Sequence, residues 1–277
     1  MEIAHKSITV EGLSTGYLEA GAGSQTGTVL LLHGGEFGVS AEIGWEQTIP
    51  ALAEHYRVLA PDMLGYGRTA KVCDFVDGRG MRIRHIAAFC AELGIESAFF
   101  VGNSMGAVNL LVDTTSDAPM LPIAAMVTIC GGGEIQAGEH MAALYDYDAT
   151  PAAMRRIVTA LFHDPSHPAD EAYVARRQAC ATQPGAWEAI AAARFRRPGA
   201  PPPPAPSSTR RYDRITVPTL VIEGGCDKLL PRGWAAQIAA QIPAGRSAVV
   251  PGAGHCPQIE QPAIVNGLLL DFFAEQG

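Results

Sequence analysis

The segment Gly102-Asn103-Ser104-Met105-Gly106 constrains this chain more than any other stretch, because of what stands on either side of it. Residues 98–101 (Ala-Phe-Phe-Val) form a short apolar run that reads as a buried strand, and 107–112 read as a helix. A strand-to-helix turn this tight lifts its central side chain above the sheet. It needs small residues two places before and two places after, where neighbouring backbone passes close. Gly102 and Gly106 meet that need. The serine then stands at the start of a helix, whose first free N–H groups point at negative charge developing beside it. The pattern predicts a nucleophile, Ser104.

The rest of the first half alternates in the same way. Residues 28–32 form an apolar strand entering the turn His33-Gly34-Gly35, and 57–60 form a strand closed by Pro61-Asp62. Ile83, Ile86, Phe89 and Leu93 recur at helical spacing over 81–93, where Gly94 stops the helix. Residues 123–130 give another strand, ending in three glycines. From 134 to 214 there are helical stretches and no strand. The proline-rich run 198–206 inside it is too poor in backbone donors for a helix interior or a central strand, and predicts an extended surface connection. Strands resume at 219–223 and 247–250, and a last amphipathic helix covers 263–273. The expected class is α/β, a mostly parallel sheet flanked by helices. Residues 1–133 and 215–277 would form the core, and 134–214 an inserted, mainly helical cap.

A nucleophilic serine needs a base, and the base needs a carboxylate to orient it. Of the eight histidines, His255 alone sits in a loop after a late strand, in Gly252-Ala-Gly-His255-Cys-Pro. Asp227 sits in the loop after the preceding strand, in Glu223-Gly-Gly-Cys-Asp227-Lys, and Glu134 is a second candidate for the acid. The amides of Gly35 and Met105 would stabilise an oxyanion.

Composition narrows the partners. Hydrophobic residues are 48% and charged residues 17% of the chain, which excludes extended disorder. A net charge of −8 repels phosphate backbones, so no nucleic-acid partner is expected. No apolar stretch approaches the roughly 20 residues that cross a bilayer, so no membrane partner is expected either. The start, Met-Glu-Ile-Ala-His-Lys, lacks the pattern of a secretory signal. The six cysteines form no C-x-x-C pair and read as reduced thiols of a cytoplasmic protein. Cys226 and Cys256 adjoin Asp227 and His255, but without ligand spacing they predict no metal site. The expected partner is a small-molecule substrate, with no cofactor; a homo-oligomer is left open.

Over nearly its whole length the chain resembles the α/β-hydrolase superfamily. Besides the serine turn and both late loops, Asp62-Met-Leu-Gly65-Tyr-Gly67-Arg-Thr69 matches the turn that family carries after its fourth strand. More narrowly, it is similar to the meta-cleavage-product hydrolases, which cut carbon–carbon bonds in ring-opened aromatic compounds. That likeness lies in Val101-Gly-Asn-Ser-Met-Gly106, in Tyr56-Arg-Val-Leu-Ala-Pro-Asp62, and in Asp170-Glu-Ala-Tyr-Val-Ala-Arg176 with Gln183-Pro184. The resemblance implies that Arg176 binds a substrate carboxylate, with Arg177 as the neighbouring register, and that Gly34 and Asn103 lie against the substrate. Three positions depart from the pattern. His33-Gly-Gly-Glu-Phe-Gly38 replaces His-Gly-Ser-Gly-Pro-Gly, Gly44 replaces an Asn before Trp45, and Cys256 replaces an aromatic residue after the histidine. The implied activity is hydrolysis of a carbon–carbon bond in a 2-hydroxy-6-oxo-dienoate-like compound. The alternatives are a carboxylesterase or lactonase, or a small-molecule receptor of the same fold.

Overall fold

The apolar runs pair into one eight-stranded sheet in the order β1-β2-β4-β3-β5-β6-β7-β8. The strands are β1 (Ala4–Val10), β2 (Leu13–Ala20), β3 (Thr28–Leu32), β4 (Arg57–Pro61), β5 (Ala98–Asn103), β6 (Ile123–Ile129), β7 (Thr219–Gly224) and β8 (Gly245–Val250). The computed structural model describes residues 2–23, 26–193, 195, 199 and 209–276. From β4 to β8 every pair is parallel. The hairpin of β1 and β2 joins β4 antiparallel.

Burial explains the sequence pattern. Val29 to Leu32 of β3 are fully buried, as are Phe100 and Val101 of β5 and Met126 and Val127 of β6. Parallel strands covered on both faces show continuous apolar runs instead of alternation. The covering helices include Gly78–Glu92, Met105–Thr114, Trp234–Ala239 and Pro262–Ala274. The first of these begins three residues before the predicted 81, because Asp77 caps it by accepting from the Gly80 amide at 2.9 Å.

Between β6 and β7 the described residues form helices and no strand: Glu139–Tyr145, Pro151–Leu161, Ser166–Ala169, Glu171–Ala181 and Ala186–Ala192. Their starts are written in the sequence. Thr150 caps the second through the Ala153 amide with Pro151 in its first position, and Asp170 caps the fourth through the Ala172 and Tyr173 amides. The proline-rich run 198–206 lies, apart from Gly199, outside the described residues. No described helix is long and apolar enough to cross a membrane.

This topology fixes where a site can be. β3 pairs β4 on one side and β5 on the other, so the chain reverses its direction of winding there. Open α/β sheets bind ligands outside the carboxyl ends of their strands at such a point. The turns after β3 and β5 carry His33-Gly34-Gly35 and Ser104.

Candidate active site

Ser104 occupies the left-handed half of backbone space, with φ 49° and ψ −109°. A non-glycine residue there carries strain of about 1–3 kcal/mol and persists only where its surroundings over-determine it. Here the Ser104 amide donates to the Ile129 carbonyl at 2.8 Å, and the helix Met105–Thr114 starts at the next residue. The flanking glycines are sterically required. A Cβ on Gly106 would stand 2.2 Å from the Leu32 carbonyl oxygen, and one on Gly102 2.5 Å from the Ala107 nitrogen.

The turn after β3 meets this helix start. A Cβ on Gly35 would stand 2.9 Å from the Cβ and Sδ of Met105, so a side chain there would push the two peptide units apart. Among the described residues no hydrogen bond claims the N–H of Gly35 or Met105. His33 holds the turn: Nδ1 lies 2.7 Å from the Gly34 carbonyl, and Nε2 accepts from the Met63 amide at 3.0 Å. Burial pushes its pKa down, which keeps the ring neutral and both bonds intact. Tyr66 adds a hydrogen bond from its hydroxyl to the Gly35 carbonyl at 2.8 Å.

His255 and Asp227 close the constellation. His255 Nε2 lies 2.9 Å from Ser104 Oγ, and Nδ1 lies 2.8 Å from Asp227 Oδ2. Asp227 Oδ1 accepts from the Leu229 amide at 2.8 Å. Burial opposes the charge of both groups, and each outweighs that penalty for the other. The Asp227 pKa is lowered, by the His255 imidazole and the backbone amides of Leu229 and Leu230. The His255 pKa is raised, by Asp227 and then by Glu36. With Nδ1–H fixed toward a carboxylate, Nε2 is free to accept the serine proton.

A cavity of about 820 Å³ lies over this chain of hydrogen bonds. Gly35, Glu36, Phe37, Tyr66, Ser104, Met105 and His255 line its floor, and Ile135, Met141, Leu144, Leu161 and Ile190 contribute an apolar wall from 134–214.

Other expected residues stand elsewhere. Arg176 is corrected by the structure: its guanidinium binds Glu46 at 2.8 Å near the surface, and it lines a separate cavity of about 330 Å³. Arg177, one position on, is fully buried and bound to Glu36 at 2.8 Å. The Glu171–Ala181 helix turns its 177 face inward, so Arg177 reaches Glu36 without itself lining the cavity. Asn103 and Gly34 are buried behind the cavity wall, not part of it. Asn103 Nδ2 donates to the carbonyls of Ile129 and His255 at 3.3 and 3.2 Å, tying the histidine loop to β6. Glu134 is exposed, and the acidic partner of His255 is Asp227.

Sequence reasoning missed two groups. Glu36 follows the glycine turn and reaches the cavity with a side chain only 6% exposed. Cys130, at the end of β6, has its sulfur within 4.8 Å of ligand atoms of Asp227 and His255, and burial pushes its thiol pKa up. The carboxylate in an otherwise small, apolar turn was the signal for the first; nothing in the spacing marked the second.

Known proteins match this description. The alpha/beta hydrolase family matches residues 29–268. The 2-hydroxy-6-oxo-6-(2'-aminophenyl)hexa-2,4-dienoic acid hydrolase of Metapseudomonas resinovorans is 32% identical, over 97% of this chain and 90% of its own length. The 2-hydroxymuconate semialdehyde hydrolase of Pseudomonas sp. (strain CF600) is 30% identical, over 98% and 94%. Among solved structures, the meta-cleavage product hydrolase from Pseudomonas fluorescens IP01 superposes with a TM-score of 0.85 at 27% identity, covering 99% of both chains. The matches extend over nearly the whole chain, and this chain is an enzyme of the alpha/beta hydrolase family.

Proposed function

We propose that the chain hydrolyses a carbon–carbon bond in a 2-hydroxy-6-oxo-dienoate-like compound, with Ser104, His255 and Asp227 as the catalytic triad. In this reading 134–214 is a cap over a core of 1–133 and 215–277, and the cavity between them takes the substrate. Ser104 Oγ adds to the ketone carbonyl while its proton passes to His255 Nε2. Asp227 holds the imidazole in the required tautomer and stabilises the imidazolium. The N–H groups of Gly35 and Met105 receive the oxyanion, the latter at a helix N-terminus. With the 2-hydroxy-dienoate in its 2,6-dioxo-ene tautomer, the carbon–carbon bond then breaks, its electron pair passes through the alkene onto the 2-oxo group, and the resulting dienolate takes up the proton held by His255. Water adds to the acyl-serine with His255 as base, which releases the acid. The net addition is one water, and no cofactor enters.

The observation that carries the reading is the unbroken chain from Ser104 Oγ through His255 to Asp227 on the floor of an 820 Å³ cavity. The relatives named above are dienoate and semialdehyde hydrolases, which supports the bond type. A side-by-side assay tests it, with a 2-hydroxy-6-oxo-dienoate and a nitrophenyl ester of matched size. The expected result is a higher kcat/KM on the dienoate, with both activities lost in Ser104→Ala. Turnover of the ester alone would make the chain a carboxylesterase. Turnover of neither, far below the usual enzyme range of about 1–1000 per second, would point to a receptor.

A further inference from the structure

An acid substrate needs a cation in the cavity, because a chain of net charge −8 does not gather anions by its overall field. Neither arginine of the Glu171–Ala181 helix supplies one. Arg176 pairs with Glu46 and lines the other cavity, and Arg177 is bound to Glu36 behind the wall of this one. The cations that do line it are Arg79 and Arg82, near the start of the Gly78–Glu92 helix. Among the described residues no other lysine or arginine does.

Three residues apart, the two side chains share one face of the helix, where like charges repel. Both are half-buried, and among the described residues neither forms an ion pair. Arg82 Nη1 donates to the Gly78 carbonyl at 3.3 Å, and Arg79 makes no side-chain hydrogen bond. Acids close in sequence are engaged. Asp77 accepts from the Gly80 amide and pairs with Arg84, an exposed residue of the ordinary surface kind. Asp74, also on the cavity wall, turns Oδ1 to the amides of Val76 and Asp77 at 2.7 and 3.0 Å. A third guanidinium adds to the crowding. Burial, then the charges of Arg210 and Arg82, push the Arg79 pKa below its ordinary value, against the pull of Asp77. Nη1 of Arg210 is itself buried with no hydrogen-bond partner among the described residues. Arginine stays charged at any working pH, so the excess positive charge is permanent. A carboxylate seated against Arg79 and Arg82 relieves their repulsion, and planar guanidinium forks match its geometry.

We infer that Arg79 and Arg82 form a carboxylate-binding site on the wall of the cavity, which holds an acid group of the substrate while Ser104 attacks the ketone. The inference rests on the carbon–carbon hydrolase reading above and deepens it by naming the residues that receive the acid. Two carboxylates offer the same chemistry, the dienoate's own and a second one carried beyond the ketone.

The test uses three compounds on the wild type, Arg79→Gln and Arg82→Gln. They are a 2-hydroxy-6-oxo-6-phenyl-dienoate, the same compound with a carboxylate on its ring, and the neutral nitrophenyl ester. At least one acid should lose roughly ten- to hundredfold in kcat/KM, the range expected for one hydrogen bond to a charged group. The loss should lie mainly in KM, since the contact is remote from the breaking bond. The ester should stay within about twofold. Loss on both acids assigns the site to the dienoate carboxylate, and loss on the diacid alone assigns it to the second. Equal losses on acids and ester, or no loss on any, overturn the proposal. If neither acid is cleaved while the ester still is, the carbon–carbon reading fails by itself. Inhibition of ester hydrolysis by the same acids then decides the site: a rise of about tenfold in the inhibition constant in the variants sustains it, and no change overturns it. Should neither variant fold, the wild type is compared with acid and primary amide as inhibitors, and an amide as strong as its acid for both compounds overturns the proposal.

Discussion

Successive residues of a helix point about 100° apart, so Arg176 and Arg177 share a sequence neighbourhood and differ in everything else. Arg176 is 46% exposed and pairs with Glu46, an arrangement worth at most about 1 kcal/mol. Arg176→Ala should leave kcat/KM within about twofold and stability within about 1 kcal/mol, read by steady-state assay and urea unfolding. Arg177→Ala strands the Glu36 carboxylate in a buried site, and about 3–5 kcal/mol of stability should go with it. Equal effects of the two changes would contradict the orientation of the Glu171–Ala181 helix. A second prediction follows from His255. Its pKa is raised, chiefly by Asp227, so the protonated, inactive ring persists to higher pH than in a free imidazole. Activity should rise with pH through a limb above the ordinary value of about 6.5. In Asp227→Asn the limb should move down, because the charge that favours imidazolium is gone, and kcat should drop by roughly 10⁴-fold. A pH–rate profile in which Asp227→Asn leaves the limb in place would sink the pairing. The hydrogen-bonded chain of Ser104, His255 and Asp227 was legible because its members occupy loops after strands, where chain order alone narrows the choice. Arg177 and Glu36 were not, because which way a side chain faces depends on the rotation of its helix or turn.

At the scale of elements, the strand-to-helix turn makes a steric demand that can be set against a helix that makes none. A methyl group on Gly106 would lie 2.2 Å from backbone that cannot move without breaking β3. Gly106→Ala should therefore destabilise the protein by about 2–3 kcal/mol or more, the cost of overpacking a rigid site. Gly267 lies in the interior of Pro262–Ala274 with nothing within 4 Å of its Cβ position and no positive φ. Gly267→Ala should stabilise by roughly 0.5–1 kcal/mol, since glycine is the weaker helix former. Urea midpoints of the two variants moving in the same direction would refute this contrast. The same reasoning shows which elements could be read in advance. β3 to β7 are buried apolar runs, and all five stood out as such. The hairpin of β1 and β2 did not: β1 is largely exposed, with only Val10 buried, and β2, though buried from Thr15 to Ala20, breaks its apolar run with Thr15, Gly16 and Glu19. A strand whose stability comes from pairing rather than burial leaves little trace in hydropathy.

At the scale of the molecule, the question is how the insertion is held in register with the triad. The structure answers with two core side chains. Lys228 Nζ donates to the carbonyls of Thr159 and Phe162, each at 2.7 Å, where the Pro151–Leu161 helix leaves acceptors unpaired. Glu260 takes the His163 and Asp164 amides on Oε1 and the Gly254 amide on Oε2. The His255 amide completes the seam by donating to the Leu161 carbonyl at 2.7 Å. One carboxylate thus fixes the residue before His255 and the residues just beyond the Pro151–Leu161 helix. Glu260→Gln tests this coupling with no change of size. An amide presents an NH₂ group on one side, so it faces either the two amides of His163 and Asp164 or the one of Gly254 with a donor in place of an acceptor. The milder choice sacrifices the Gly254 bond, and a lost bond to a charged acceptor is worth about 1.5–3 kcal/mol. Because Gly254 precedes His255, part of that loss should appear as a fall in kcat of about tenfold or more, for a displacement near 1 Å at the base. Arg155→Ala is the control. It removes the contact of Arg155 Nη2 with both carboxylate oxygens of Glu171, involves none of the seam's side-chain hydrogen bonds, and should lower stability without lowering kcat. If the control depresses kcat as far as Glu260→Gln does, loosening anywhere in the insertion is sufficient, and Glu260 has no special part in aligning cap and histidine.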